Sequence, residues 1–196
     1  KIEEVDKMVE TTLERFGRID ILVNSAGVLS MLPVTELEEK EWNKVIDVNL
    51  KGIFLCSKVV AKVMVKQKWG RIINISSSAA QFGAPGQAAY CASKAGVLGF
   101  TRAHAIELGK FNITVNAICP NNVDTKMLRE VLKVRAEKLK IDYNELIQGI
   151  LSKIPMGRFA QPKDIAGLVV YLASSDAEYI TGQAINICGG RTSSLF

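Results

Sequence analysis

The chain has 196 residues, 48% hydrophobic and 23% charged, an ordinary globular mixture with enough length for one domain and a sizeable core. Its net charge of +5 arises from basic residues interspersed with acidic ones, which favours a solvated surface over a nucleic-acid patch. No apolar run approaches the roughly 20 residues that span a bilayer, and the charged start shows no secretory signal.

Residues 2–16 carry Ile2, Val5, Val9, Leu13 and Phe16 at helical spacing, and Gly17 stops that helix. Ile19 to Asn24 is a short apolar run, expected to be a strand covered on both faces. After Pro33, Thr35 is placed to cap a helical region, with Glu38 at the capping-box position. That region runs from about Glu36 to Lys68; Asn49 and Gly52 inside it predict two helices or one distorted turn. Arg71 to Ser76 is a second buried-type strand, and residues 77–87 form a loop with Gly83, Pro85 and Gly86. A helix from about Ala88 to Lys110 follows, then a third strand, Ile113 to Ile118, ended by Pro120. Residues 125–155 are helical and amphipathic. Pro162 opens a helix reaching about Ser174, with Asp164 in its first turn, and Ala184 to Ile187 is a fourth strand before Gly189-Gly190.

Strands alternating with helices mean right-handed crossovers and a parallel sheet, with ligands beyond the carboxyl ends of the strands. Asn24–Gly27, Ser76–Ser78 and Pro120–Thr125 each follow a strand. The stretch that carries chemistry is Ser76 to Gly99. Tyr90 and Lys94 stand four residues apart, so on a helix they are neighbours about 6 Å apart along the axis. A phenol beside an ammonium makes a proton donor and acceptor, because a nearby positive charge favours the ionised phenol. Cys56, Cys91, Cys119 and Cys188 are scattered among apolar neighbours without a C-x-x-C pair, as expected of buried thiols in a reducing, cytoplasmic setting. The single histidine, His104, reads as helix surface or packing, and no cluster has metal-ligand spacing.

Six ordered motifs resemble the short-chain dehydrogenase/reductase family over nearly the whole chain. N-S-A-G at 24–27 is similar to the family's N-x-A-G, and Asn49 in D-V-N-L-K-G to its active-site asparagine. Ser77 stands 13 residues before Tyr90, the family's serine-to-tyrosine spacing, which disfavours its neighbours Ser76 and Ser78. Y-C-A-S-K at 90–94 is similar to Y-x-A-S-K, N-A-I-C-P at 116–120 with Thr125 to N-A-x-x-P-G-x-x-x-T, and T-G-Q with Gly189-Gly190 to the last strand. The resemblance implies an α/β fold, a Rossmann-type doubly wound parallel sheet with helices on both faces, forming one domain over 1–196. It implies NAD or NADP as cofactor and reversible secondary alcohol–ketone oxidoreduction on a small-molecule substrate, in a homotetramer or dimer. Asn49, Ser77, Tyr90 and Lys94 would be catalytic. Tyr90 would move the proton, Lys94 would hold the cofactor ribose and depress the phenol pKa, Ser77 would bond the substrate oxygen, and Asn49 would hold a water. Asn24, Ala26, Gly27, Tyr90, Lys94, Pro120, Val123 and Thr125 would touch the cofactor.

The sequence departs from the family at its start. The first strands and the Gly-rich loop that binds pyrophosphate are not found in residues 1–30, so the sequence reads as lacking about the first third of a family domain. The competing reading is therefore a truncated, non-enzymatic member serving a structural or interaction role. Asn121 replaces the expected glycine after Pro120, and asparagine tolerates positive φ. Residues 125–155 stand where the family has its substrate lid. Their length is similar to that of the family's polyol, diol and hydroxyacid dehydrogenases rather than to the shorter lid of acyl-carrier ketoreductases, and the resemblance is to a 3-oxoacyl reductase-like or polyol/diol dehydrogenase-like member.

Overall fold

Helix α1 (Ile2–Phe16) forms on the predicted period, and Gly17 ends it at φ 74°, its N–H donating to the Leu13 carbonyl. The computed structural model from which this is read describes residues 1–191. Strand β1 (Ile21–Asn24) follows, but it is not covered on both faces: Ile21 and Val23 are 45% and 40% exposed. The apolar run looked central because it lacks alternation, yet among the described residues β1 lies at the edge of the sheet and pairs with β2 (Gly70–Ile75) alone.

Thr35 caps no helix. Val34–Glu36 is a single 3-10 turn, and helix α2 (Glu39–Ile46) starts after Glu38, which makes no side-chain cap. The distortion expected near Asn49 and Gly52 is a π turn over Asp47–Lys51, which passes directly into helix α3 (Gly52–Gln67). Such single-turn insertions are frequent at functional sites. The loop after β2 contains a short helix, α4 (Ala79–Phe82), that the glycines and proline around it concealed. Helix α5 (Ala88–Leu108) and strand β3 (Ile113–Pro120) match expectation. The amphipathic segment is two helices, α6 (Lys126–Leu139) and α7 (Tyr143–Leu151), broken where Lys140 takes φ 53°. Helix α8 (Pro162–Ala173) has a capping box between Gln161 and Asp164, and β4 (Ala184–Ile187) completes the sheet.

The four strands are parallel in the order β1-β2-β3-β4. Alternation sorts the central strands between two layers. Ile72, Ile113 and Val115 pack with α1, α3 and α5 on one face. Ile73 and Ile118 pack with α8 on the other. This is the α/β parallel arrangement expected, with every carboxyl end on one edge. Leu132, Ala136, Leu146 and Ile150 make a separate small core between α6 and α7. No helix among the described residues is long and apolar enough to cross a membrane.

Candidate active site

The first turns of α5 bring Tyr90 and Lys94 to the carboxyl edge of β2. Lys94 is only 3% exposed, and its Nζ donates to the carbonyl of Ile75, the last residue of β2, at 2.8 Å. The ammonium lies 5.7 Å from the centroid of the Tyr90 ring. Burial pushes the Lys94 pKa down to about 8, because taking a cation out of water disfavours its charged form. Burial pushes the Tyr90 phenol up, and a hydrogen bond with the Ser77 side chain pulls it partly back. The net direction is upward, with burial the largest cause.

Of the three serines, Ser77 is the one that bears on the phenol pKa. Its hydroxyl also accepts from the Ala79 N–H at 3.2 Å, which starts α4. Ser76 is buried and donates to the Lys94 carbonyl at 2.9 Å, tying the loop to α5. Ser78 is buried and accepts from Asn121 Nδ2 at 2.9 Å. That bond is what Asn121 contributes in place of glycine. The left-handed conformation expected there is not used; positive φ among non-glycine residues falls at Lys68, Asn112 and Lys140.

The π turn places Asn49 in full burial beside Lys94. Asn49 Oδ1 accepts from the Val28 N–H at 2.8 Å, and Nδ2 donates to the Val28 carbonyl at 2.9 Å and to Ser93 Oγ at 3.1 Å. Both amide hydrogens are thus committed, so a water held by Asn49 would sit on one of its oxygens. Gly27 closes the group: a Cβ there would lie 3.5 Å from Asn49 Oδ1 and 3.6 Å from Lys94 Nζ. Any larger residue would project into the space before the ammonium.

The remaining expected contacts are arranged less directly. Asn24 turns its amide into the core, donating to Ser57 Oγ at 3.1 Å and to Asn74 Oδ1 at 2.8 Å, while Asn74 donates to Thr101 Oγ1 at 3.0 Å. It fixes the end of β1 through its side-chain nitrogen. Ala26 is exposed on the same turn. Pro120 ends β3, and its carbonyl accepts from the Ser78 N–H at 3.0 Å. Val123 bridges to Ala160, and Thr125 Oγ1 caps α6 through the Leu128 N–H at 3.3 Å.

The sequence reading did not single out Ser57, Asn74, Ser93 or Thr101. A signal existed for Asn74, a polar residue within an apolar strand, which must find partners when buried. His104 packs as expected, its ring 5.0 Å from that of Phe100, and burial lowers its pKa. Of the cysteines, Cys119 is fully buried, whereas Cys56, Cys91 and Cys188 are only half-buried. A cavity of about 350 Å³ lies away from this group, between α6, α7 and residues 157–161. Leu132, Tyr143 and Phe159 line it, and none of Asn49, Ser77, Tyr90 or Lys94 does.

A profile of the family described as enoyl-(acyl carrier protein) reductase matches residues 1–192. The chain is 45% identical over 189 residues to the 3-oxoacyl-[acyl-carrier-protein] reductase of Synechocystis sp. (strain ATCC 27184 / PCC 6803 / Kazusa), covering 96% of this chain and 71% of that one. It belongs to the short-chain dehydrogenase/reductase family. A second member of that family, the 3-oxoacyl-[acyl-carrier-protein] reductase FabG of Thermotoga maritima, is 42% identical over 188 residues, 72% of its length. Among solved structures, levodione reductase superposes with a TM-score of 0.94 at 32% identity, over 100% of this chain and 75% of that one. An actinorhodin polyketide ketoreductase variant solved with NADPH gives 0.94 at 38% identity, over 97% and 74%. The four-stranded parallel sheet is thus part of the family's Rossmann-like fold.

Proposed function

We propose that the protein interconverts a secondary alcohol and a ketone with NAD or NADP, using Tyr90 as acid and base. The observation that carries this reading is the convergence of the Ser77 hydroxyl, the Tyr90 phenol and the Lys94 ammonium at the end of β2. The residues present fit the ribose side of such a cofactor. Lys94 spends one N–H on the Ile75 carbonyl and keeps two for ribose hydroxyls. Gly27 keeps the space before that ammonium clear. Backbone near Asn24, Ala26 and Gly27 and the Pro120–Thr125 turn, Val123 included, would line the rest.

When bound, the nicotinamide supplies or accepts the hydride. The chain's own residues handle the oxygen. In reduction Tyr90 Oη gives its proton to the carbonyl oxygen, and in oxidation it takes the hydroxyl proton. Ser77 donates a hydrogen bond to the same oxygen and polarises the carbonyl. The charge on Lys94 favours the phenolate that remains. Asn49 holds the 25–28 loop and the Tyr90 turn in register through Val28 and Ser93.

Residues 125–155 act as the substrate lid of a single Rossmann-type domain. A homo-oligomer, dimer or tetramer, fits the open face of α5, where Ala92, Ala95, Gly99 and Ile106 are exposed. A cytoplasmic setting fits the scattered cysteines. The named activities of the relatives, 3-oxoacyl-[acyl-carrier-protein] reduction among them, support a 3-oxo compound as substrate. The test is transfer of deuterium from C4-deuterated NADPH or NADH to a series of 3-oxo esters, read by mass spectrometry. One deuterium at the carbinol carbon is expected; no incorporation from either nucleotide into any ester would refute the reading.

A further inference from the structure

Ser77 is held in place by its neighbours. Its own described bonds run forward into α4: the hydroxyl accepts from the Ala79 N–H at 3.2 Å, and the carbonyl from the Ala80 N–H at 3.1 Å. The attachments to β3 and α5 belong to the residues on either side. The Ser76 N–H donates to the Ile118 carbonyl at 2.8 Å, and the Ser76 hydroxyl to the Lys94 carbonyl at 2.9 Å. The Ser78 N–H donates to the Pro120 carbonyl at 3.0 Å. One main-chain bond fixes a distance but not a rotation, and a turn of Ser78 about it would carry Ser77 along.

Asn121 supplies the second point of attachment. Its Nδ2 donates to Ser78 Oγ at 2.9 Å, so Ser78 is gripped through main chain and side chain together. The base of that grip is fixed, because the Asn121 N–H donates to the Ile187 carbonyl of β4 at 3.0 Å. The other side-chain tie on α4, from Asn186 Nδ2 to Gln81 Oε1 at 3.0 Å, joins two exposed residues, where water competes. Ser78 is only 6% exposed, so its bond meets little such competition. Glycine, which the motif resemblance expects at position 121, has no side chain to make this bond.

Stability does not account for this side chain. Asn121 Oδ1 is buried and accepts no hydrogen bond among the described residues. A buried acceptor without a partner loses its hydration uncompensated, a loss at least comparable to the gain from one donated bond. Nor does Asn121 serve the turn through a left-handed backbone, which falls at other residues. A bond of little net stability that grips the residue beside Ser77 points to the site.

We propose that Asn121 is a positioning residue: through Ser78 it holds the Ser77 hydroxyl where it meets both the Tyr90 phenol and the substrate oxygen. The inference rests on Ser77 and Tyr90 being the reacting pair, but its first readout needs no turnover. The full chain carrying ¹³Cζ-tyrosine is followed by NMR at neutral pH, with Tyr90→Phe assigning the Tyr90 resonance. Ser77→Ala gives the reference shift for a phenol that has lost its serine. Asn121→Ala is expected to move the resonance most of the way to that reference. Ser78→Ala removes the other half of the bond and is expected to do the same, with the two substitutions together giving no more than either alone. In the Ser77→Ala background Asn121→Ala is expected to move the resonance no further, whereas a merely structural residue would perturb both backgrounds. With a 3-oxo ester, Asn121→Ala is expected to lower kcat about tenfold and leave KM within about twofold, a part of the roughly 10²–10³-fold that a lost oxyanion donor costs. A Tyr90 resonance indifferent to Asn121→Ala, or one moved equally in both backgrounds, overturns the proposal. The expected shifts without deuterium transfer from either nucleotide would instead overturn the hydride-transfer reading and leave the coupling of Asn121 to Ser77 standing.

Discussion

Replacing Tyr90 by Phe is expected to lower turnover about 10²–10⁴-fold, the range associated with losing a positioned acid–base group. The ring keeps its place in α5, so packing and cofactor affinity are expected to stay within about twofold of the parent, as for a volume-conserving change. Steady-state kinetics with a nucleotide titration separates the two. A fall in kcat without loss of affinity identifies the phenol as the proton carrier. Near-normal turnover would assign the proton to another group, and Ser77 is the remaining hydroxyl within reach of the phenol position.

Lys94→Met is expected to stabilise the fold at neutral pH while impairing the site. The ammonium is buried with one carbonyl partner, and its pKa falls from the model-compound value of 10.5 to about 8. The folded state therefore holds the proton less tightly than the unfolded chain. Below pH 8 the whole cost of burying the charge is present. As pH rises from 8 toward 10.5 the unfolded chain binds more protons than the folded one, so stability rises across that window. At about 1.4 kcal/mol per unit the cost is about 2–4 kcal/mol, less about 1 kcal/mol for the Ile75 carbonyl left unpaired by methionine. Thermal melts should thus show the variant more stable by about 1–3 kcal/mol at pH 7, with the advantage shrinking above pH 8. A variant less stable than the parent at pH 7 would mean that the lysine is held by its surroundings at no cost, contrary to its burial. A stability penalty retained at a cleft is a signature of function.

Much of this architecture could be read from local rules. Gly17 and Pro162 marked helix boundaries because their backbone restrictions act whatever surrounds them. Asn49 with Gly52 announced a distortion that proved to be the π turn. Serine spacing picked Ser77; in the structure Ser76 bonds the Lys94 carbonyl, Ser78 the Asn121 amide and Ser77 the Ala79 N–H. The failures came where neighbours decide. Thr35 has the chemistry of a cap, but the chain turns through Val34–Glu36 and enters α2 four residues later. The exposed side of β1 depends on what stands beside the sheet, which an apolar run does not encode. The phenol pKa is raised chiefly by burial, which the spacing of Tyr90 and Lys94 does not report. The lid length pointed toward polyol and hydroxyacid dehydrogenases and away from acyl-carrier ketoreductases, yet 3-oxoacyl-[acyl-carrier-protein] reductases stand among the matches at 45% and 42% identity beside a sorbitol-6-phosphate 2-dehydrogenase at 34%.

The central claim is that Lys94 and Tyr90 form a nicotinamide-dependent site in this chain. Nicotinamide fluorescence, titrated with NADPH and with NADH into the parent chain and Lys94→Met, tests it most directly. Saturable binding of at least one nucleotide by the parent is predicted, weakened about tenfold or more in the variant, the loss of charge-assisted hydrogen bonds to the ribose. Absence of saturable binding by the parent, or equal affinity in the two proteins, would contradict it.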